Sequence, residues 1–342
     1  MDSADEVAQI LGETPHVSRR FPLVQGPKVR GIDDLTESGV NSTFGTSNKL
    51  WLMDIDSIAA TIRLLEDIIV KGTRQITLRS GVVKPFKVHP SWLQVPWQGK
   101  VTDLSQAYKQ LFVSLKDRWA AVISVFDPNS GRAKFFLQVS LPFGARGSVN
   151  PFNRASRLLW AVGLDTGLIW LNFFDYYPTF CPSNVSHVVR PATKLLFNLL
   201  GWQFADSPEK DLEFAADFVA LGVVFDISKL EHGLSQVKHK PKRSSEVKEQ
   251  LYNVLSEGSF SATLAASLRG KLQFMESATW GNAARGTFRV FKHADTVAHK
   301  LLNREDRETL HWLVKWVGLC SNQNGVPRLS RKAPFAVFRR CL

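Results

Sequence analysis

Three features of this 342-residue sequence predict an α+β protein. Short apolar runs at strand spacing recur, interleaved with helical patterns, up to about residue 230. From residue 244 onward every periodic segment is helical. The composition, 44% hydrophobic and 22% charged, suits a chain with a substantial buried core and excludes a disordered tail, a collagen and a disulfide scaffold.

The elements follow in order. Residues 1–20 lack strong periodicity and read as a loosely ordered lead. Residues 54–70, DIDSIAATIRLLEDIIV, place Ile58, Ile62, Leu65 and Ile69 on one helical face, with Asp56 or Ser57 as a cap. Residues 73–88 alternate as strands, 100–104 read as a short strand, and 105–117 as a helix. Strands near 119–126 and 134–140 flank the turn Asp127-Pro128-Asn129-Ser130-Gly131. A helix near 148–163, a strand at 167–174, a helix over 185–200 and strands across 214–227 complete the mixed part. Ser244-Ser245-Glu246-Val247 then opens a helix with Val247, Leu251, Val254 and Leu255 on one face, stopped by Gly258. A second helix starts near Ser261 and carries Leu264, Leu268, Leu272 and Met275. Two more helical patterns run near 283–302 and 304–317. The stretch KHKPKRSSEVK, Lys238–Lys248, is the best candidate linker.

Charge narrows the partners. Lys+Arg total 43 against 31 Asp+Glu, a net of +12, and the pI is near 9.7. Residues 1–70 sum to −5, 71–160 to +11, 161–230 to −4 and 231–342 to +10. Two basic blocks therefore flank a neutral to acidic centre. Solvated surface explains such blocks, and so does a groove with two basic walls around a phosphate backbone. Nucleic acid precedes a membrane surface as the expected partner. The apolar stretch Leu158–Phe174 is broken by Asp165 and Gly167, so it reads as a buried helix, a turn and a strand rather than a membrane span. The acidic first residues are unlike a signal peptide. The three cysteines, Cys181, Cys320 and Cys341, form no CxxC pair, and an intracellular setting, cytoplasmic or nuclear, is expected.

Two aspartates stand out. Asp103 is one of three acids in the basic block 71–160 and ends a predicted strand. Asp175 is the only charge between Asp165 and Arg190, in the apolar run Trp170-Leu171-Asn172-Phe173-Phe174-Asp175. Read alone, Asp103 is a helix N-cap and Asp175 a turn residue facing water. Read as a pair, they sit at the ends of strands that, if adjacent, would bring two carboxylates together. Two such carboxylates can hold Mg²⁺, which favours oxygen ligands and substrate phosphates. Leu141-Pro142-Phe143-Gly144-Ala145-Arg146-Gly147-Ser148 is a glycine-containing turn before a helix, where Arg146 could reach a phosphate and Ser148 could simply cap the helix. It is not a P-loop. No histidine spacing fits zinc, and neither HExxH nor GxSxG occurs.

In order along the chain, several of these elements resemble the reverse transcriptase family over roughly residues 20–317, most closely retroelement enzymes of the tyrosine-recombinase and Ty3-like kinds. Arg30-Gly31-Ile32-Asp33-Asp34 through Asn41 resembles the fingers segment that begins with an arginine near the incoming triphosphate. Thr102-Asp103-Leu104-Ser105-Gln106-Ala107-Tyr108 resembles the first catalytic palm motif, and Tyr108 the gate that rejects a ribose 2′-OH. Leu141-Pro142-Phe143-Gly144, continuing to Ser148 and Phe152, resembles the LPFG motif. Phe173-Phe174-Asp175-Tyr176 resembles the aromatic-x-Asp-Asp hairpin, with Tyr176 in place of the second aspartate. Leu200-Gly201-Trp202 with Lys210 downstream, Leu221-Gly222, and Leu268-Arg269-Gly270-Lys271-Leu272-Gln273-Phe274 resemble the next palm motif, the primer-side turn and the thumb helix.

The resemblance implies a right-hand polymerase fold: fingers over 21–99, a palm with an antiparallel sheet over 100–230 that carries fingers strands at 119–140, a linker at 231–243 and a helical thumb over 244–318. Residues 319–342 would begin a connection or ribonuclease H region. It further implies template-directed DNA synthesis on RNA, with Asp103 and Asp175 as catalytic, Mg²⁺-binding (or Mn²⁺-binding) residues. Arg30, Tyr108, Phe143, Gly144 and Lys210 would bind the nucleotide. Arg146, Leu221, Gly222, Gly270, Lys271 and Gln273 would meet template and primer. The implied partners are an RNA template, a DNA primer or RNA–DNA hybrid, and dNTPs. Tyr176 opens a second expectation, a nucleic-acid-binding relic of such a polymerase without activity.

Overall fold

The computed structural model describes residues 1–26, 28–45, 49–78, 80–279, 284, 286–291 and 299–322. In chain order the elements are α1 (Ala4–Leu11), β1 (Val17–Gln25), β2 (Lys28–Asp34), α2 (Val40–Thr43), α3 (Ile55–Ile69), β3 (Gln75–Thr77), β4 (Val83–Pro85), β5 (Trp97–Asp103), β6 (Val122–Asp127) and β7 (Arg132–Leu137). There follow α4 (Arg146–Asp165), β8 (Ile169–Trp170), β9 (Tyr176–Pro182), α5 (Ser186–Leu199), β10 (Asp217–Ala220), β11 (Val223–Asp226) and β12 (Gln236–His239). The last are α6 (Pro241–Glu257), β13 (Ser259–Ser261), α7 (Ala262–Thr279), β14 (His299–Leu301) and α8 (Arg304–Asn322). Among the described residues no helix is long and apolar enough to cross a membrane.

The chain forms two compact units. The first comprises Met1–Leu52, Thr102–Tyr177 and Val189–Asp211. Its four-stranded sheet has the order β2-β1-β6-β7. β1 and β2 are antiparallel, Val17–Arg19 of β1 run parallel to Val122–Ser124 of β6, and β6 and β7 form a hairpin. The predicted turn closes that hairpin: Asp127 accepts from the Asn129 amide and the Ser130 hydroxyl, and Gly131 takes φ +64°. α4 buries Phe152, Leu159 and Trp160. Trp160 and Trp170 each donate an indole N–H to the other's carbonyl at 2.9 Å. A Cβ on Gly163 would stand 1.9 Å from the Trp170 ring, so only glycine permits this approach of helix and strand.

The second unit comprises Met53–Val101, Pro178–Val188 and Leu212–Leu342. It holds α3, the β3–β4 hairpin, the antiparallel sheet β10-β11-β12, and the helices α6, α7 and α8. Those helices share a core built on Val247, Leu251 and Val254, on Leu268, Leu272 and Met275, and on Leu310, Leu313 and Val317. The positions predicted for the first two helices are the ones that face inward. A further three-stranded sheet has the order β5-β9-β8.

Four sequence expectations are corrected. Residues 1–20 carry regular structure: Ser3 caps α1 by accepting from the Glu6 amide, and β1 begins at Val17. Residues 105–117 form no α-helix but two 3₁₀ segments, Ala107–Gln110 and Leu115–Ala120. Backbone pairing overrides helix propensity there: Ser105 donates to the Gln203 carbonyl, and Phe112 bridges Ser140. The expected linker is structured, because β12 pairs with β11 and Pro241 sits at the first position of α6, three residues ahead of the predicted start. Near 283–302 the described residues form a 3₁₀ segment, Thr287–Phe291, and β14; residues 292–298 lie outside the described residues, as does most of 319–342.

Candidate active site

Asp103 is the last residue of β5 and Asp175 immediately precedes β9, its neighbour in the sheet. The backbone locks the two together. Leu104 donates to the Asp175 carbonyl at 2.9 Å, and Ala205 donates to the Asp103 carbonyl at 2.7 Å. Gln110 braces the adjoining chain by donating to the Ser105 and Gln203 carbonyls and accepting from the Gln203 amide. The two carboxyl groups lie close enough for Asp103 to act on Asp175 by charge and by a side-chain hydrogen bond.

Their electrostatics follow from this geometry. The Asp175 carboxyl is pushed up to about 6, first by burial and then by the like charge of Asp103. Lys210 donates to Asp103 Oδ2 at 3.0 Å, and its own pKa is raised by that hydrogen bond and charge. Asp103 Oδ1 is buried and has no donor among the described residues. Among the described residues no third carboxylate, histidine or cysteine joins the pair. The pair fits a hard divalent cation of the kind that takes one or two protein carboxylates and fills its shell with water and phosphate.

The hairpin that carries Asp175 is held from behind. Phe174 has φ +53°, a left-handed conformation unusual for a large side chain. Its carbonyl accepts from the Ser156 hydroxyl and, at 2.9 Å, from the Asn172 amide. Asn172 also donates to Ser156 Oγ at 2.8 Å, and the Tyr177 hydroxyl donates to the Ser156 carbonyl at 2.9 Å. Burial and the Asp175 charge keep Tyr177 protonated, although its hydrogen bond to Ser156 works the other way. Sequence reasoning missed this network. The available signal was Asn172 itself, a polar residue inside an apolar strand. Tyr176 is 39% exposed, and burial followed by the Asp103 and Asp175 charges raises its hydroxyl pKa.

The other predicted residues fall into four groups. Tyr108 lies beside Asp175, whose charge joins burial in raising its pKa. Its ring stacks on buried Phe152 at 4.5 Å and meets exposed Phe143 edge-on at 5.9 Å. Gly144, at φ +97°, and Arg146 are tied to the first segment by Asn41, which donates to the Gly144 carbonyl at 3.1 Å and accepts from the Arg146 amide at 2.8 Å. Arg146 also lines an open pocket of about 950 Å³ with Lys49, Arg154, Phe44 and Asn150, at the N-terminus of α4. Arg30 is exposed on β2.

Leu221, Gly222, Gly270, Lys271 and Gln273 belong to the second unit. Leu221 and Gly222 form the β10–β11 turn at φ +47° and +84°. Gly270 and Gln273 are exposed on α7, and Lys271 donates to Gln250 Oε1 at 3.0 Å.

No protein-family model matches the sequence, and no curated protein matches it. Solved structures do. A foamy viral protease-reverse transcriptase in complex with double-stranded DNA is similar at TM-score 0.56 and 13% identity over 90% of this chain and 44% of that one. The foamy viral protease-reverse transcriptase bound to RNA/DNA hybrid gives 0.55 and 12% over 90% and 34%, and a further complex with dsDNA gives 0.56 and 13% over 90% and 53%. The chain thus spans between about a third and a half of the length of these relatives. With 45% of its described residues helical and 24% in strands, it has a mixed α and β, reverse transcriptase-like fold.

Proposed function

We propose that this chain is a reverse transcriptase-like protein of retroelement type that performs template-directed DNA synthesis on RNA. Fingers, palm and helical thumb would occupy 21–99, 100–230 and 244–318. The observation that carries this reading is the meeting of Asp103 and Asp175 at the ends of adjacent strands, with the Lys210 ammonium on one of them. Mg²⁺ or Mn²⁺ held by these carboxylates would polarise phosphate oxygens and favour ionisation of the primer hydroxyl. Lys210 and Arg30 supply positive charge to the triphosphate. Tyr108, backed by Phe152, presents an aromatic edge beside Asp175 where a ribose 2′-OH would collide. Phe143 and Gly144 position the nucleotide. Arg146, with Lys49 and Arg154 around the same pocket, suits a template phosphate backbone. Leu221, Gly222, Gly270, Lys271 and Gln273 meet primer and template. The solved relatives' complexes with DNA and with RNA/DNA hybrid support such partners.

Tyr176 favours a second reading, a nucleic-acid-binding protein without polymerase activity, because it removes a carboxylate from the hairpin. Primer extension on an RNA template with Mg²⁺ or Mn²⁺ separates the two. The unmodified chain should extend above an Asp103→Ala background, and Tyr176→Asp should extend faster. Salt-sensitive binding of hybrid with no product above that background would select the second reading.

A further inference from the structure

We propose that Arg243 is a positioning residue that holds the Leu221-Gly222 turn in its left-handed conformation against α7. What the turn touches, the primer strand, rests on the function proposed above. The turn's shape does not.

A two-residue connection with positive φ at both positions is the hairpin geometry that usually calls for Asn-Gly or Gly-Gly. Here the first position is leucine, at φ +47°. A bulky side chain in that region persists only where its surroundings impose the conformation. Arg243 supplies the constraint. Its Nη1 donates to the Gly222 carbonyl at 2.8 Å, and its guanidinium lies over the Phe274 ring at 4.5 Å. A Cβ on Gly222 would stand 3.1 Å from the tip of Phe274 and 3.6 Å from both terminal nitrogens of Arg243. Turn, guanidinium and ring are thus stacked in one layer drawn from the β10–β11 hairpin, the first turn of α6 and α7.

The role needs arginine in particular. A planar guanidinium can stack on a ring and donate in its own plane at once, which an ammonium cannot do. Neither described partner of Arg243 is a counter-ion. Neighbouring His239 is kept neutral, its pKa lowered to about 4 by burial and by the Arg243 charge.

The test uses the full chain and three variants: Arg243→Met, Arg243→Lys and Phe274→Leu. Hydrogen exchange over residues 218–226 is compared with exchange in the α7 core. The affinity preference for an RNA–DNA hybrid with a recessed 3′ end over a blunt hybrid of equal length is measured alongside. Arg243→Met should raise turn exchange about tenfold or more while the α7 core holds, and should reduce the recessed-end preference. Phe274→Leu, which removes the ring under the guanidinium, should raise turn exchange in the same direction. Arg243→Lys should recover part of both effects. Unchanged turn exchange in Arg243→Met would overturn the proposal, as would faster exchange spread equally through α6 and α7. If turn exchange rises but the unmodified chain shows no recessed-end preference, Arg243 keeps its positioning role and the primer assignment of the turn fails.

Discussion

Asp175 bears the electrostatic strain of the candidate site. Its folded pKa, about 6, stands above the ordinary 3.8, so the native state holds the proton more tightly than the unfolded chain. The stability this contributes is fully present below the unfolded value and is lost as pH rises through about 6. Asp175→Asn should therefore melt at a higher temperature than the unmodified chain near neutral pH, with the gap closing below pH ~4. Thermal unfolding across that range is the check, and a gap independent of pH would contradict the assignment. Added Mg²⁺ should narrow the gap at neutral pH only. At this scale Asp103 and Asp175 are legible in the sequence, because acids closing strands in a basic or apolar run leave a local mark, whereas Tyr108 is legible only through the motif resemblance. Lys210 on Asp103 is not, since the partners are 107 positions apart. The Ser156–Asn172–Tyr177 support is equally silent, being made of hydrogen bonds across up to 21 positions.

Elements are legible where periodicity and burial agree. The inward faces of α3, α6 and α7 are those their apolar spacing predicts. The stretch 105–117 departs from its helical pattern because its backbone is committed to residues near 140 and 203, which no local signal announces. The expected linker fails for a different reason: a basic, proline-containing stretch can equally be an edge strand followed by a helix start. Gly270 of α7 separates packing from function. A Cβ there would meet nothing within 4 Å, so the chain itself does not require glycine. Gly270→Ala should stabilise α7 by roughly 0.5–1 kcal/mol, seen in urea unfolding, by removing glycine's entropic cost. If a nucleic-acid backbone approaches this face, the same variant should bind hybrid more weakly. Equal affinity with higher stability would free Gly270 of any binding role.

For the whole molecule, the order of motifs is readable and their grouping in space is not. The chain changes unit at 52/53, 101/102, 177/178, 188/189 and 211/212, so neither unit is one continuous segment. Three of the positive charges, Lys49, Arg146 and Arg154, gather around one pocket. Combining Lys49→Glu with Arg154→Glu should flatten the dependence of log affinity on log salt by about one unit for each phosphate no longer neutralised. An unchanged slope in hybrid-binding titrations would place the phosphate backbone elsewhere. The Lys210–Asp103 pair also bears on how the protein is made. During synthesis both carboxylates leave the ribosome well before Lys210 does. Until it arrives, the two acids face each other without the ammonium that offsets them. Closure of the Asp175 hairpin should therefore wait until residue 210 has emerged, and a chain stalled short of residue 210 should keep this corner ajar.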